Sequence, residues 1–139
     1  MSDTPPTHEG TLDELLGFEL IEVGRELARG RAAVGRHLMQ PFGLVHGGVY
    51  ATLAESIASV ATYQAVKDGG NIAVGLANQT SFMRPITEGH VNAEARCRHS
   101  GRTTWIWDVE LTDDEGRLCA LSRMTIAVRP APRAGPSRS

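Results

Sequence analysis

A single glutamate stands in the middle of an otherwise uncharged segment, "GGVYATLAESIASVATYQ" (47–64). The segment has the length and composition of a helix, and Glu55 is its only charged side chain. A carboxylate is costly to bury, whereas a solvent-exposed helix face normally carries several charges. Glu55 therefore has either a structural role, in an ion pair or facing solvent, or a catalytic one as nucleophile or general base.

Two glycines begin this helix, in the sequence "HGG" (46–48). The first N–H groups of a helix lack partners within the helix and carry partial positive charge. Gly47 and Gly48 have no Cβ, so a ligand oxygen can approach them closely. The glycines either serve only to turn the chain into the helix or form a site for a developing oxyanion.

The spacing of the two features predicts an assembly. Gly47 and Glu55 are eight residues apart, about 12 Å along a helix axis, which is too far for both to act on one carbonyl. Two antiparallel copies of the helix, related by a two-fold axis, would bring Gly47 of one chain near Glu55 of the other. At 100° per residue, the Glu55 face is lined by small or hydroxylated residues that suit a flat substrate: Gly48, Ala51, Thr52, Ala58, Ser59 and Thr62.

The elements around this helix predict one domain, with residues 1–139 forming a single unit and an ordered core at about 12–129. A short helix follows the N-cap Thr11 and ends at Gly17, and two strands meet near Gly24. The long helix runs from Gly47 to about Lys67, and four strand-like runs follow it. The fold class is α+β, with an antiparallel sheet of five or six strands wrapped around one long helix.

Composition and charge exclude several classes of function. A formal net charge of -2 and a pI near 6.2 give no general attraction to nucleic acid or to a membrane surface. Cys97 and Cys119 lie in strand-like patterns without a CxxC motif or a histidine at metal-ligand spacing, so we expect reduced core thiols and no metal. The N-terminus has no signal-peptide pattern, which predicts a cytoplasmic location.

The segments "QPFGLVHGGVYATLAE", "NQTSFMRP" and "TTWIWDV" together resemble the hotdog-fold thioesterases, most closely the 4-hydroxybenzoyl-CoA thioesterases of the Arthrobacter type. The resemblance implies hydrolysis of an aromatic acyl-CoA in aromatic compound degradation, by a homotetramer built as a dimer of dimers. Coenzyme A enters as part of the substrate, and no separate cofactor is implied. The first segment also resembles 1,4-dihydroxy-2-naphthoyl-CoA thioesterases. Two other substrates, 1,4-dihydroxy-2-naphthoyl-CoA and hydroxyphenylacetyl-CoA, therefore remain alternatives.

The same resemblance implies roles for individual residues. Glu55 corresponds to the catalytic carboxylate, and the Gly47 amide corresponds to the donor that polarises the carbonyl. Gln40 and His46 correspond to supporting polar residues, and Ser59 to a hydroxyl that holds the hydrolytic water.

A second group of residues is implied for substrate binding. Arg84, Arg102 and Thr103 fall where such enzymes hold the CoA nucleotide, although the Arthrobacter-type enzyme has a serine in place of Arg102. Arg133 is a further candidate for the phosphates. From the residues themselves, we expect a ring hydroxyl to meet the polar side chains of the strand after the long helix, namely Asn78, Gln79 and Thr80.

Two other functions are compatible with the pattern. A hotdog dehydratase or hydratase would use a carboxylate and a histidine for proton transfer, but His46 precedes the helix instead of following that family's pattern. A non-catalytic acyl-CoA-binding protein would have the slot without needing the carboxylate. The sequence lacks the GxSxG motif that is typical of serine hydrolases. With three Phe and two Trp, the chain shows no run that would build a tunnel for a long acyl chain.

Overall fold

A computed structural model describes residues 8–132, and the expectations for the terminal segments beyond them, including Arg133, lie outside the described residues. The elements follow the predicted order: α1 (Leu12–Leu16), β1 (Phe18–Val23), β2 (Leu27–Ala33), α2 (Gly47–Val66), β3 (Asn71–Phe82), β4 (His90–Ser100), β5 (Thr104–Thr112) and β6 (Leu118–Pro130). Short 3-10 turns lie at Arg36–Leu38 and Lys67–Gly69. The second turn follows the long helix at Lys67, where the sequence predicted its end.

The six strands form one antiparallel sheet in the order β1-β2-β4-β5-β6-β3. The long helix α2 lies against this sheet and contacts every strand. The structure therefore confirms the α+β hotdog fold, with the sheet wrapped around one helix. Within residues 8–132, no helix is both long enough and apolar enough to cross a membrane.

Strand β5 shows how alternation builds the core. Its inward side chains Trp105, Trp107, Val109 and Leu111 are buried, as the alternating pattern predicts. From α2, Leu53 and Ile57 pack into the same cluster. Every second side chain of the strand thus lies on the inner face of the sheet, and this face and the apolar face of the helix bury each other.

Two residues of α2 are buried in the core although the sequence predicted them on the face of the helix that carries Glu55. Thr62 and Ala58 were expected on the Glu55 face, but both are fully buried. The Trp107 Nε1–H donates to Thr62 Oγ1 at 2.9 Å, and Thr62 Oγ1 donates to the Ala58 carbonyl at 2.8 Å. The sheet curls around the C-terminal half of the helix, so the angle around the axis alone does not decide which side chains are exposed.

The outer face of the sheet carries ion pairs between neighbouring strands. Asp108 on β5 accepts from Arg123 of β6, with Nε to Oδ1 at 2.8 Å and Nη2 to Oδ2 at 3.0 Å. The hydrogen bonds from Arg123 hold the pKa of Asp108 below its ordinary value. This bidentate pair fixes the register of β5 against β6 on the solvent side.

Strand β3 forms one edge of the sheet and is paired only with β6 within the described residues. Three large apolar side chains on this strand are open to solvent, namely Val74 at 47%, Leu76 at 58% and Phe82, its last residue, at 57% exposed. Long, apolar edge strands are ready to pair with another chain. The edge adjoins the helix face that carries Glu55.

Candidate active site

The start of α2 is built around His46. His46 is the N-cap residue, and its Nδ1 accepts a hydrogen bond from the Gly48 N–H at 2.8 Å. Its own N–H donates to the Leu38 carbonyl at 2.8 Å, which anchors the loop before the helix. Within residues 8–132, the Gly47 N–H has no acceptor. The imidazole thus satisfies one of the first helix donors and leaves the neighbouring one available to a ligand.

Gly47 opens onto an apolar groove of about 420 Å³, which we call the Gly47 groove. The groove is lined by residues of the loop before α2, the first turn of α2 and the end of β3: Gln40, Leu44, Val45, Gly47, Tyr50, Phe82, Met83, Arg84 and Pro85. The Phe82 ring packs against Gly47 so closely that an added Cβ would lie 3.1 Å from Phe82 Cε1. A larger residue at this position would therefore have to displace the Phe82 ring by a few tenths of an ångström.

Two further side chains shape the groove. Tyr50 is buried, its hydroxyl accepts a hydrogen bond from the Ile86 N–H at 3.2 Å, and burial raises its pKa. Tyr50 is thus a neutral wall residue. The side-chain oxygen of Gln40 accepts a hydrogen bond from the Phe42 N–H, which fixes Gln40 at the rim.

Glu55 lies in a second cavity of about 370 Å³, which we call the Glu55 pocket. Its lining comes from α2, from β3 and from the N-terminal helix with its cap: Thr11, Leu12, Asp13, Ala51, Thr52, Glu55, Ser56 and Asn78. The Glu55 side chain is exposed, and no ion pair involving it occurs within the described residues. The buried ion pair that the sequence left open is therefore absent from the described part of the chain.

Gly75 lies beside the Glu55 carboxylate and was not among the predicted site residues. A Cβ added at Gly75 would lie 3.5 Å from Glu55 Cδ and Oε2. The register of β3 against β6 shifts between Gly75 and Ala77, as in a β-bulge. An isolated glycine inside a strand pattern is the signal that could have indicated this close approach.

The three polar residues expected at the far end of the substrate occupy different positions. Asn78 lines the Glu55 pocket, and its Nδ2 donates to the Ala51 carbonyl at 2.8 Å. Thr80 Oγ1 donates to Asn78 Oδ1 at 2.6 Å and lies behind it. Gln79 pairs with Arg123 and lies on the opposite face of β3. Of the three, Asn78 has direct access to the pocket.

A single chain does not bring all the predicted catalytic residues together. Gln40, Gly47 and Arg84 line the Gly47 groove, whereas Glu55 lines the other cavity. Ser59 is half-buried one turn beyond Glu55 and lines neither cavity. The separation of Gly47 from Glu55 follows from their positions on one continuous helix, α2.

The residues expected to hold the CoA nucleotide are also far apart in one chain. The Arg84 N–H donates to the Cys119 carbonyl, whereas the Thr103 carbonyl accepts from the Val128 N–H. Cys119 and Val128 are near opposite ends of β6, about 30 Å apart at the rise of a strand. Arg102 and Thr103, in the β4–β5 turn, therefore cannot share a phosphate with Arg84 of the same chain.

The cysteines are poor candidates for a nucleophile. Burial raises the pKa of both Cys97 and Cys119, so each is a thiol and not a thiolate near neutral pH. Between residues 8 and 132, no group of three His, Cys, Asp or Glu side chains is arranged to hold a metal ion.

Comparisons with known proteins identify the family and the fold of the chain. The family model of the thioesterase superfamily matches residues 42–120, which include Gly47 and Glu55. The proofreading thioesterase EntH of Cronobacter turicensis is 38% identical over 122 residues, covering 88% of each protein. The 1,4-dihydroxy-2-naphthoyl-CoA hydrolase of Escherichia coli is 36% identical over 120 residues, covering 86% of this chain and 88% of that protein. The crystal structure of a mutant thioesterase from Pseudomonas aeruginosa superposes with a TM-score of 0.85 at 36% identity, covering 88% of each chain.

Proposed function

The chain belongs to the thioesterase superfamily and is an acyl-CoA thioesterase, and from this premise we propose that it hydrolyses an aromatic acyl-CoA to the free acid and CoA. The observation that carries the proposal is the Glu55 pocket, in which the Glu55 carboxylate lies among small and hydroxylated side chains of α2 and faces Leu12 and Asp13 of α1. A flat acyl group fits such a surface better than a long alkyl chain does.

Glu55 is the proposed reactive group. Its carboxylate either attacks the thioester carbon to form an anhydride or deprotonates a water that attacks it. In the first route the C–S bond breaks as the Glu55 oxygen bonds to the acyl carbon, and water then cleaves the anhydride to release the acid and restore the Glu55 carboxylate. In the second route the acyl carbon gains the oxygen of water directly. In both, the CoA sulfur leaves as the thiol. His46 holds the first turn of α2 so that the Gly47 N–H is free to stabilise the oxyanion. Gln40 and Ser59 are proposed to position the thioester and the water.

The proposed active unit is a homodimer in which each site takes Gly47 from one chain and Glu55 from the other. Three observations support it: Gly47 and Glu55 lie in different cavities, the polar face of α2 is open, and the adjoining edge of β3 exposes large apolar residues. A second copy of this chain, packed antiparallel on that surface, would cover the helix face and the strand edge. It would also bring Gly47 of one chain to Glu55 of the other. Association of two such dimers into a tetramer remains a proposal from the resemblance.

The nucleotide of CoA is proposed to contact residues from more than one chain. Arg84 lies on the Gly47 groove, so it is placed for the part of CoA nearest the thioester. Arg102 and Thr103 lie at the other end of the sheet, so any contact with the same CoA has to come from a different subunit. Each arginine presents a planar donor group suited to phosphate.

The identity of the acyl group is the finer part of the proposal. 4-Hydroxybenzoyl-CoA is the thioester implied by the resemblance, with Asn78 as the contact for the ring hydroxyl and Thr80 as the residue that holds Asn78. The 36% identity to a 1,4-dihydroxy-2-naphthoyl-CoA hydrolase supports a second candidate with a larger ring system. Hydroxyphenylacetyl-CoA is a third candidate of the same class.

A panel of thioesters tests the proposal. Release of free CoA thiol is measured with 4-hydroxybenzoyl-, 1,4-dihydroxy-2-naphthoyl-, 4-hydroxyphenylacetyl-, hexanoyl- and palmitoyl-CoA. We expect the best aryl substrate to exceed palmitoyl-CoA by at least about tenfold in kcat/KM, or about 1.4 kcal/mol in transition-state binding. A profile led by palmitoyl-CoA would contradict the aromatic assignment.

Variants of Glu55 test the catalytic assignment in the same assay. Glu55→Ala and Glu55→Gln should each lower kcat by several orders of magnitude with the fold intact, because the nucleophile or base is removed. Retention of more than about a tenth of wild-type turnover would exclude Glu55 as the reacting group. Tight CoA-ester binding by a wild-type protein that releases no thiol would instead indicate a non-catalytic binding protein.

A further inference from the structure

The short helix α1 is attached to the helix that carries Glu55. Thr11 caps α1 by accepting a hydrogen bond from the Glu14 N–H, and Gly17 ends it with a φ of 72°. The Ser56 hydroxyl on α2 donates to Asp13 Oδ1 at 2.6 Å, a contact between residues 43 positions apart in the chain. This hydrogen bond joins α1 to the surface of α2 beside Glu55.

The position of α1 makes it one wall of the Glu55 pocket. Thr11, Leu12 and Asp13 all line the pocket together with Glu55. Leu12 is an apolar side chain that remains 57% exposed beside the pocket. Burial of apolar surface is favourable, so an acyl group that covers Leu12 is stabilised by the contact.

The charges of the two cavities decide which end of a thioester lies against α1. The Glu55 pocket contains two carboxylate side chains, Glu55 and Asp13, whereas the Gly47 groove contains Arg84. The phosphates of CoA are repelled by the first and attracted by the second. With the thioester carbonyl at the junction of a shared site, the CoA part extends toward the Gly47 groove and the acyl part into the Glu55 pocket.

We propose that α1 selects the acyl group, with Leu12 as the side chain that contacts it and the Ser56–Asp13 hydrogen bond as the contact that positions the helix. This inference rests on the proposed thioesterase chemistry at Glu55 and adds a specificity determinant that lies outside the helix and strands bearing the other site residues. It commits the acyl group, and not the nucleotide, to the α1 side of the site.

The test compares selectivity and not activity alone. We measure kcat/KM for benzoyl-CoA and for acetyl-CoA, whose acyl group is too short to reach Leu12. Leu12→Ala should lower the benzoyl-to-acetyl ratio by about tenfold, because the apolar contact is lost for the larger group only. Leu15→Ala is the matched control: Leu15 lies on the same helix, is 70% exposed and does not line the pocket. Its ratio should stay within about twofold of the wild-type ratio.

Variants of Ser56 test the positioning role. Ser56→Ala removes the hydrogen bond to Asp13 and should lower the same ratio, whereas Ser56→Thr keeps a hydroxyl and should restore it at least in part. Thermal unfolding followed by circular dichroism establishes that each variant is folded. If Leu12→Ala is not folded, Leu12→Gln replaces it, because glutamine has a similar length and suits a helix but lacks the apolar surface. Unchanged ratios in folded Leu12 and Ser56 variants would overturn the proposal.

The two levels of the proposal fail in different ways. A wild-type protein that hydrolyses neither thioester contradicts the proposed function, and the inference falls with it. A wild-type protein that hydrolyses both, and is inactivated by Glu55→Ala, while Leu12→Ala and Leu15→Ala shift the ratio equally, contradicts only the role of α1. A loss that appears equally in both substrates also excludes acyl selection, since it indicates a general defect.

Discussion

Removing one hydrogen-bond donor at the start of α2 tests the shared site without adding a charge. Gly47 is the first residue of α2, where proline is tolerated because its fixed φ suits the helix and no N–H is needed within it. His46 has φ of -62° and ψ of 134°, the extended conformation that a residue before proline prefers. Gly47→Pro therefore deletes the proposed oxyanion donor and leaves the helix in place.

The size of the effect is obtained against a matched variant. Gly47→Ala introduces a Cβ at the same 3.1 Å distance from Phe82 but keeps the N–H. Any loss caused by displacing the Phe82 ring is common to both variants. The additional loss in Gly47→Pro isolates the donor, and we expect it to be roughly 100-fold to 1000-fold in kcat, the range found for one oxyanion-hole donor.

Mixed dimers then distinguish a shared site from a complete one. A Gly47→Pro chain and a Glu55→Ala chain are each nearly inactive alone, but their heterodimer contains one site with both defects and one with neither. Random mixing gives about half heterodimers, each with one intact site of two, so activity should recover to about a quarter of the wild-type value. The chains carry different affinity tags, are refolded together and are assayed by thiol release.

Failure of this recovery would refute the geometric reasoning. If purified heterodimers show only the summed activity of the two parents, Gly47 and Glu55 do not meet across the subunit boundary. A heterodimer of Gly47→Ala with Glu55→Ala tests the same point with a milder variant. A shared site again leaves one of the two sites with native Gly47 and Glu55, whereas a site within one chain would give only half the activity of Gly47→Ala.

Two further predictions concern the fold. Thr62→Val should lower the free energy of unfolding in urea by about 1 to 3 kcal/mol, because the buried Trp107 Nε1–H loses its acceptor. Thr52→Val removes an equivalent hydroxyl-to-carbonyl contact on the same helix but no tryptophan partner, so an equal loss there would contradict the explanation. Asp108→Asn should make stability less dependent on acid pH: Arg123 lowers the folded pKa of Asp108, so its contribution is present above the ordinary value of 3.8 and is lost as pH falls through the lower folded value. The free energy of unfolding is measured for both proteins between about pH 6 and pH 2. An equal decline in wild type and variant would exclude this role of Asp108.

The elements of the fold could be predicted because local patterns decide them. The alternation in "TTWIWDVEL" identified the buried face of β5, and Thr11 and Gly17 identified both ends of α1. The uncharged stretch around Glu55 gave the length of α2 to within one residue. Each of these signals depends on neighbours within a few positions, which the sequence displays directly.

The parts that could not be predicted depend on the order of strands in the sheet and on its curvature. Helical periodicity placed Thr62 beside Glu55, but the curl of the sheet buries it against Trp107. The approach of Gly75 to the carboxylate needs β3 to lie alongside α2. The distance between Arg84 and Arg102 follows from the register of β6, which no short motif specifies.

The open edge of β3 links catalysis to the amount of enzyme. On the shared-site proposal, covering Val74 and Leu76 and completing the site are the same event, so dilution below the dimer dissociation constant removes activity by mass action. Activity per milligram would then fall as the protein is diluted, which does not happen when each chain holds a complete site. An unassembled chain would also present its bare backbone donors and acceptors to other strands. A cell that makes this chain slowly would therefore hold it first as inactive single chains, and activity would appear only when their concentration approaches the dimer dissociation constant.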